Sequence, residues 1–446
     1  MKQRAFRNAV TTAVIAIVPL LILVSCGGSG GEQQTVKTEA VPVIVVAIDG
    51  LRADALGCYG AAAATPAFDA LAAESVLFEW AFAQAPQIQP SLATLFSGMY
   101  PTSNGLRAPG DYMVDESSTL AEIFGAAGYT TSAFIEGGPS DSDYGLAQGF
   151  NSYQTFSTPG AAAADWMAAH TDENFLVVIG GWSRVALDQV RRLLEGSGQP
   201  EGMSDRVQEV LASRATGRPA DFDEKDLEWV RAWYAARIQV VDSLIGGFMQ
   251  EVRELGLDRK AIIVVLGSNG FALQEHGDLF GESLYPAVTR VPLMIRLPGG
   301  TNDQRISKVV EVVDLMPTIL ELIGQPVPEG VQGASLLPIL DGAGQPPYVA
   351  FAESPQSGGQ RFVAFGGMAM VSGVSGSDGE LFDLGLDPTG TQNLAAGQGE
   401  KLEVMVRHLQ AWEKMVAVAS LDPQLRAEEE LDEDTLKQLK SLGYIQ

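Results

Sequence analysis

Residues 43–48 read Val-Ile-Val-Val-Ala-Ile, an unbroken apolar and mostly β-branched run between Pro42 and Asp49-Gly50. A strand with one solvated face alternates apolar and polar positions, so a run without alternation predicts a strand buried on both faces, as in a parallel sheet. Similar runs at 130–135, 175–179, 261–266 and 292–297 predict further strands, and the amphipathic stretches 118–127 and 227–255 predict helices between them. Strands alternating with helices define an α/β fold with a mostly parallel central sheet flanked by helices. Asp49, at the carboxyl end of the first strand, stands where such folds place their sites. A short helix opening on an acidic residue is predicted over 314–323, and a Gly- and Pro-rich stretch at 324–344 closes the first unit. Beyond it, strand-like pieces over 349–384 joined by Gly and Ser predict a small antiparallel sheet, 402–418 a helix, and 428–434 a solvated acidic run. The expected organisation is a leader (1–25), a tether (26–41), a main α/β domain (42–343), and a small-sheet subdomain with a helical, acidic tail (344–446).

The amino terminus sets where the chain works. Lys2, Arg4 and Arg7 precede an apolar run at 13–24, and Leu23-Val24-Ser25-Cys26 closes it. A bilayer span needs roughly 20 apolar residues, so this run, broken by Pro19, reads as an export signal. It resembles the lipobox of bacterial lipoproteins. That resemblance implies that Cys26 carries the lipid anchor and that residues 1–25 are removed. The protein is then expected in the bacterial cell envelope, extracytoplasmic and held to the membrane by lipid. Residues 27–40, rich in Gly, Ser, Gln and Thr, predict a flexible tether. Cys58 alone then remains, so the mature chain forms no internal disulfide, and this thiol is expected as a small buried hydrophobe.

With 446 residues and 46% hydrophobic content, the chain can bury a large core. Charge excludes whole classes of partner. Lys plus Arg number 29 against 55 Asp plus Glu, a formal net charge of −26, which removes the counterion release that drives nucleic-acid binding. DNA and RNA are excluded as partners, and the same field repels sulfated or phosphorylated polyanions at long range. The membrane, through lipid, and a protein partner are the expected contacts.

A series of phrases in fixed order resembles the sulfatases of the alkaline phosphatase superfamily. They include Ile48-Asp49-Gly50-Leu51-Arg52-Ala53-Asp54, Thr65-Pro66-Ala67-Phe68-Asp69-Ala70-Leu71-Ala72 and Pro90-Ser91-Leu92-Ala93-Thr94-Leu95 through Gly98-Met99-Tyr100-Pro101. Later come Gly145-Leu146-Ala147-Gln148-Gly149-Phe150, Val241-Asp242-Ser243-Leu244, Glu275-His276-Gly277, Val313-Asp314-Leu315-Met316-Pro317-Thr318 and Leu381-Phe382-Asp383-Leu384. The resemblance implies the family's α/β sheet and small carboxy-terminal sheet. It also implies sulfuric ester hydrolysis by a formylglycine made from Cys or Ser, calcium held by acids after two strands, and a His-x-Pro-Tyr stretch followed by Lys.

Laid on that pattern, the chain departs from it at each chemical position. The nucleophile position falls on Ile88 and its Arg on Leu92, and neither side chain carries a nucleophile or a cation. The first pair of metal acids reads Asp49-Gly50 and the second Ser268-Asn269, leaving Asp49 and Asn269 as vestigial ligands. No bound cofactor is therefore expected. Gly180-Gly181-Trp182-Ser183-Arg184 stands where the family's imidazole is placed. Of the three histidines, His170 and His408 read as structural, and His276 as either a pocket-lining residue or a loop histidine bonding nearby backbone. One expectation is a pseudoenzyme with a binding or regulatory role. The alternative is a sulfuric ester or phosphoester hydrolase with a rearranged site, using Ser91 or Thr94, although Ser91 beside Pro90 reads first as a helix cap.

Overall fold

The computed structural model describes residues 41–421 except 109, 138–142, 183–186, 197–199, 201, 214–220, 301–303, 343–347, 356–357 and 374–378. Cys26, the tether up to residue 40 and the acidic run at 428–434 lie outside the described residues. The strands are β1 (Val43–Ile48), β2 (Val76–Phe82), β3 (Thr130–Glu136), β4 (Ser152–Phe156), β5 (Phe175–Gly181), β6 (Ile262–Gly267), β7 (Arg290–Arg296) and β8 (Gln304–Glu311). They form one sheet in the order β4-β3-β5-β1-β6-β7-β2-β8, parallel throughout except for β7, which runs antiparallel to both neighbours.

The apolar runs become the centre of this sheet. Every residue of β1, β5 and β6 is buried. Ile44, Val46 and Ile48 pack on one side with the 31-residue helix Glu224–Glu254. Val43, Val45 and Ala47 pack on the other with helices Ile88–Ser97 and Leu315–Leu322. Two of the family-like phrases meet directly: the Asp242 carboxylate, from the long helix, accepts the amides of Ala67 and Phe68, each at 3.0 Å. It thereby satisfies donors left open at the start of helix Pro66–Ala73, whose own Thr65 does not cap it. Among the described residues no helix is long and apolar enough to cross a membrane.

A second sheet of β9 (Val349–Ser354), β10 (Gln360–Phe365), β11 (Met368–Ser372) and β12 (Glu380–Asp383) is antiparallel throughout, in the order β12-β11-β10-β9. Helix Gly399–Ala419 lies against it, with the Trp412 ring stacked on Phe351 at 5.2 Å between centroids and meeting Tyr100 edge-on at 5.3 Å.

A buried carboxyl, Glu311, joins the two sheets, with Asp314 beside it. Glu311, at the end of β8, accepts from the Tyr100 hydroxyl at 2.9 Å and from the Phe351 amide of β9 at 2.8 Å. Asp314 accepts the amides of Glu311 at 2.9 Å and of Ala334 at 2.8 Å. Burial pushes the Asp314 carboxyl up to about 7, and burial together with the charge of Asp314 raises Glu311 well above the carboxylate range. A carboxyl raised in the folded state stabilises it fully below the unfolded value, and that contribution disappears as pH rises through the folded value. Melting temperature is therefore expected to fall between pH 6 and 8 in wild type and to fall less in Glu311→Gln, which keeps an acceptor oxygen but cannot ionise. Parallel slopes in a thermal-denaturation series would contradict this.

Candidate functional site

The carboxyl ends of β1, β5 and β6 lie side by side, with Ile48 registered against both Gly181 and Gly267. Asp49 continues this edge and donates its amide to the Gly181 carbonyl at 2.8 Å, while the Ser268 amide reaches the Ile48 carbonyl at 3.0 Å. The structure thus brings the backbone of Asp49 and Gly50 beside that of Ser268 and Asn269.

Their side chains are arranged as follows. Asp49 is half-buried and its carboxylate has no hydrogen-bonding partner among the described residues. Gly50 adopts φ +62°, the left-handed region that favours a residue without Cβ. The Ser268 hydroxyl donates to Asn269 Oδ1 at 2.8 Å, and Asn269 Nδ2 donates to the Gly270 carbonyl at 3.1 Å. Both residues are buried, and each uses its polar atoms on the other or on backbone.

Sequence reasoning missed Arg237. This residue of the long helix is 2% exposed, and its guanidinium donates to the Gly50 carbonyl at 2.9 Å and to the Asp49 carbonyl. Tyr234, one turn earlier, donates its hydroxyl to the same Gly50 carbonyl at 3.0 Å and accepts the Arg52 amide at 3.1 Å. The available signal was a cation on the helix's apolar stripe, between the buried Trp233 and Val241.

Calcium takes six to eight oxygens, several of them anionic. Here Asp49 offers one carboxylate, Asn269 and Ser268 are bonded to each other, and a guanidinium stands beside Gly50. Among the described residues no group of three His, Cys, Asp or Glu could hold a metal ion. This donor set does not fit a divalent cation.

Ile88 is the first residue of helix Ile88–Ser97, is half-buried and packs on the apolar cluster below. Leu92, one turn on, is buried. Its Cδ1 lies 3.5 Å from where a Cβ on Gly180 would stand, and Ile135 Cδ1 lies 2.9 Å from it. The space beside Gly180, near the carboxyl end of β5, is thus filled with hydrocarbon from two sides. Ser91 does not cap the helix, contrary to expectation. It lies inside the first turns, where Gln87 is the capping position, and its buried hydroxyl donates back to the Ala85 carbonyl at 3.3 Å. Thr94 is fully buried, and its hydroxyl has no hydrogen-bond partner among the described residues.

His276 sits with the small sheet. Its ring stacks on Tyr285 at 3.5 Å between centroids, its Nε2 bonds the Gly390 carbonyl, and its Nδ1 is 3.6 Å from Glu380. His170 stacks on Trp166 at 3.8 Å, and His408 is buried against Phe365. Burial, followed by the nearby Asp69 carboxylate, pushes the Cys58 thiol up to about 12, which leaves no thiolate at neutral pH.

An eight-stranded sheet with one reversed strand, a small carboxy-terminal sheet, and a polar cluster at the ends of β1 and β6 define the alkaline-phosphatase-like class of α/β protein. A family model described as Sulfatase matches residues 42–325, well over half of the sequence, and the chain belongs to the sulfatase family. Arylsulfatase K of Bos taurus is 37% identical over 117 residues, covering 26% of this chain and 22% of its own length. Arylsulfatase K of Xenopus laevis is 29% identical over 206 residues, covering 43% and 38% respectively. The chain therefore spans between 22% and 38% of the length of these two relatives. The phosphonate monoester hydrolase of Agrobacterium radiobacter superposes with a TM-score of 0.69 at 20% identity, over 88% of this chain and 98% of that one. A protein solved in complex with its substrate D-glucosamine-2-N,6-O-disulfate gives a TM-score of 0.70 at 18% identity, over 88% and 100%. At such identities the structural likeness establishes the fold alone.

Proposed function

We propose that this chain is a sulfatase-fold lipoprotein of the cell envelope that binds or regulates and does not hydrolyse. One observation carries the reading: Ile88 stands where the family resemblance puts the nucleophile, and Leu92 and Ile135 fill the space beside β5 with hydrocarbon. A hydrocarbon side chain cannot attack sulfur or phosphorus, and Leu92 supplies no positive charge to hold an anionic group. The donor set around Asp49 argues in the same direction, so no divalent cation enters this reading.

Restoring single residues distinguishes this from a rearranged hydrolase. Ile88→Cys protein, made in cells that convert Cys to formylglycine, is expected to remain without activity on aryl sulfates and phosphonate monoesters, because the acids at 50 and 268 and the cation at 92 are still missing. Activity in the unaltered chain that Ser91→Ala or Thr94→Ala abolishes would replace the proposal with a hydrolase built on those hydroxyls.

Location rests on the lipobox-like Leu23-Val24-Ser25-Cys26. The amino-terminal peptide of the protein isolated from membranes is expected to begin at a lipid-modified Cys26 in mass spectrometry. An unmodified Cys26, or retention of residues 1–25, would contradict it.

A further inference from the structure

Buried guanidinium groups are ordinarily paired with carboxylates, because an uncompensated buried charge is strongly disfavoured. Arg237, 2% exposed, forms no ion pair with a carboxylate among the described residues. Its protons go to backbone carbonyl oxygens of Asp49 and Gly50, and its charge lies 5.9 Å from the centre of the Tyr234 ring. Carbonyl oxygens at a strand end, with one free carboxylate beside them, are the surroundings a hard cation takes. A Cβ placed on Gly50 would stand in ordinary contact with Arg237, 3.5 Å from both terminal nitrogens, so the guanidinium already lies where an acid at position 50 would meet a cation.

We propose that the Arg237 guanidinium is the resident cation of this site and replaces the divalent ion that an acid at position 50 would help to hold. The inference goes beyond the absence of hydrolysis, since it concerns a charge already built into the fold. It makes three features of the chain interdependent. Gly50 needs no acid because the guanidinium already supplies the positive charge beside it, and its φ of +62° favours glycine. Asp49 keeps its carboxylate because a cation remains nearby. Ser268 can turn to Asn269 because no exchangeable metal needs its oxygen. The long helix is thereby fastened to the end of β1 by a charge that neither calcium nor a chelator can exchange.

The test compares melting temperatures of wild type, Arg237→Ala, Arg237→Lys and the double variant Gly50→Asp/Arg237→Ala. Each is measured in calcium chloride, in sodium chloride at equal ionic strength, and with a chelator. Matched ionic strength removes general screening of the acidic surface. Wild type is expected to melt at the same temperature in all three. Arg237→Ala is expected to melt several degrees lower, with Arg237→Lys between the two. The double variant should regain several degrees in calcium alone, a gain absent from Arg237→Ala, because Asp49 and the new acid then form a pair with no guanidinium to neutralise it. A role for Arg237 in packing alone predicts no such calcium response. If the double variant is unfolded without metal, recovery of its circular dichroism on adding calcium is the readout. A calcium-specific rise in wild type, or no calcium response in the double variant by either readout, overturns the proposal.

Discussion

Replacing Arg52 by Met is expected to lower the free energy of unfolding by about 3 kcal/mol, the lower end of the cost of removing one partner from a buried ion pair. The Arg52 side chain is 6% exposed, bonds Asp54 through two nitrogens at 2.8 Å each, and reaches Glu275 at 2.7 Å and the Phe271 carbonyl at 3.0 Å. It thus ties the segment after β1 to the loop after β6, the two segments that carry the candidate site. The lower end applies because Asp54 is 36% exposed and re-solvates on losing its partner, whereas Glu275, at 15%, re-solvates less. Arg52→Lys should recover only part of the loss, since an ammonium cannot serve the Asp54 fork, Glu275 and a carbonyl together. Urea denaturation reads both variants, and a Met variant within about 0.5 kcal/mol of wild type, the range of ordinary surface substitutions, would show that the network holds nothing.

Trp412→Ala is expected to cost about 3–5 kcal/mol, the range for truncating a buried aromatic in a well-packed core. Trp412 is completely buried between Phe351 of the small sheet and Tyr100, which follows helix Ile88–Ser97. Tyr100 also donates to Glu311, so the cavity left by the indole sits next to the carboxyl that fastens β9. Residues sharing a partner in this way do not contribute independently. Combining Trp412→Ala with Glu311→Gln should therefore lose less than the two single losses added together. Additivity in equilibrium unfolding would show that the ring stack and the buried carboxyl act separately.

The readable parts of this fold were those whose physics is local. β1, β5 and β6 are buried on both faces, so their apolar runs stand out. β4, Ser-Tyr-Gln-Thr-Phe, and β8, Gln-Arg-Ile-Ser-Lys-Val-Val-Glu, are edge strands whose mixed polarity hides them. The reversal of β7 was equally hidden, because an apolar run has no direction. At the site, the resemblance placed Asp49, Gly50, Ser268 and Asn269 together, but the mutual bonding of Ser268 and Asn269 is a matter of rotamers. The contact of His276 with Gly390 joins residues 114 apart in the chain. Arg237 reads in sequence as a cation on the apolar stripe of a long helix, with nothing to name its partner. Only its placement under the end of β1 shows a cation among carbonyl oxygens.

The proposed reading is that the family fold persists here around a strand edge without sulfatase chemistry. It is tested most directly by following sulfate release from an aryl sulfate by the purified chain in calcium-containing buffer, over a series of protein concentrations and beside a family member of known activity. The account predicts release indistinguishable from the protein-free blank at every concentration. Release that rises in proportion to protein and continues through many turnovers would contradict it.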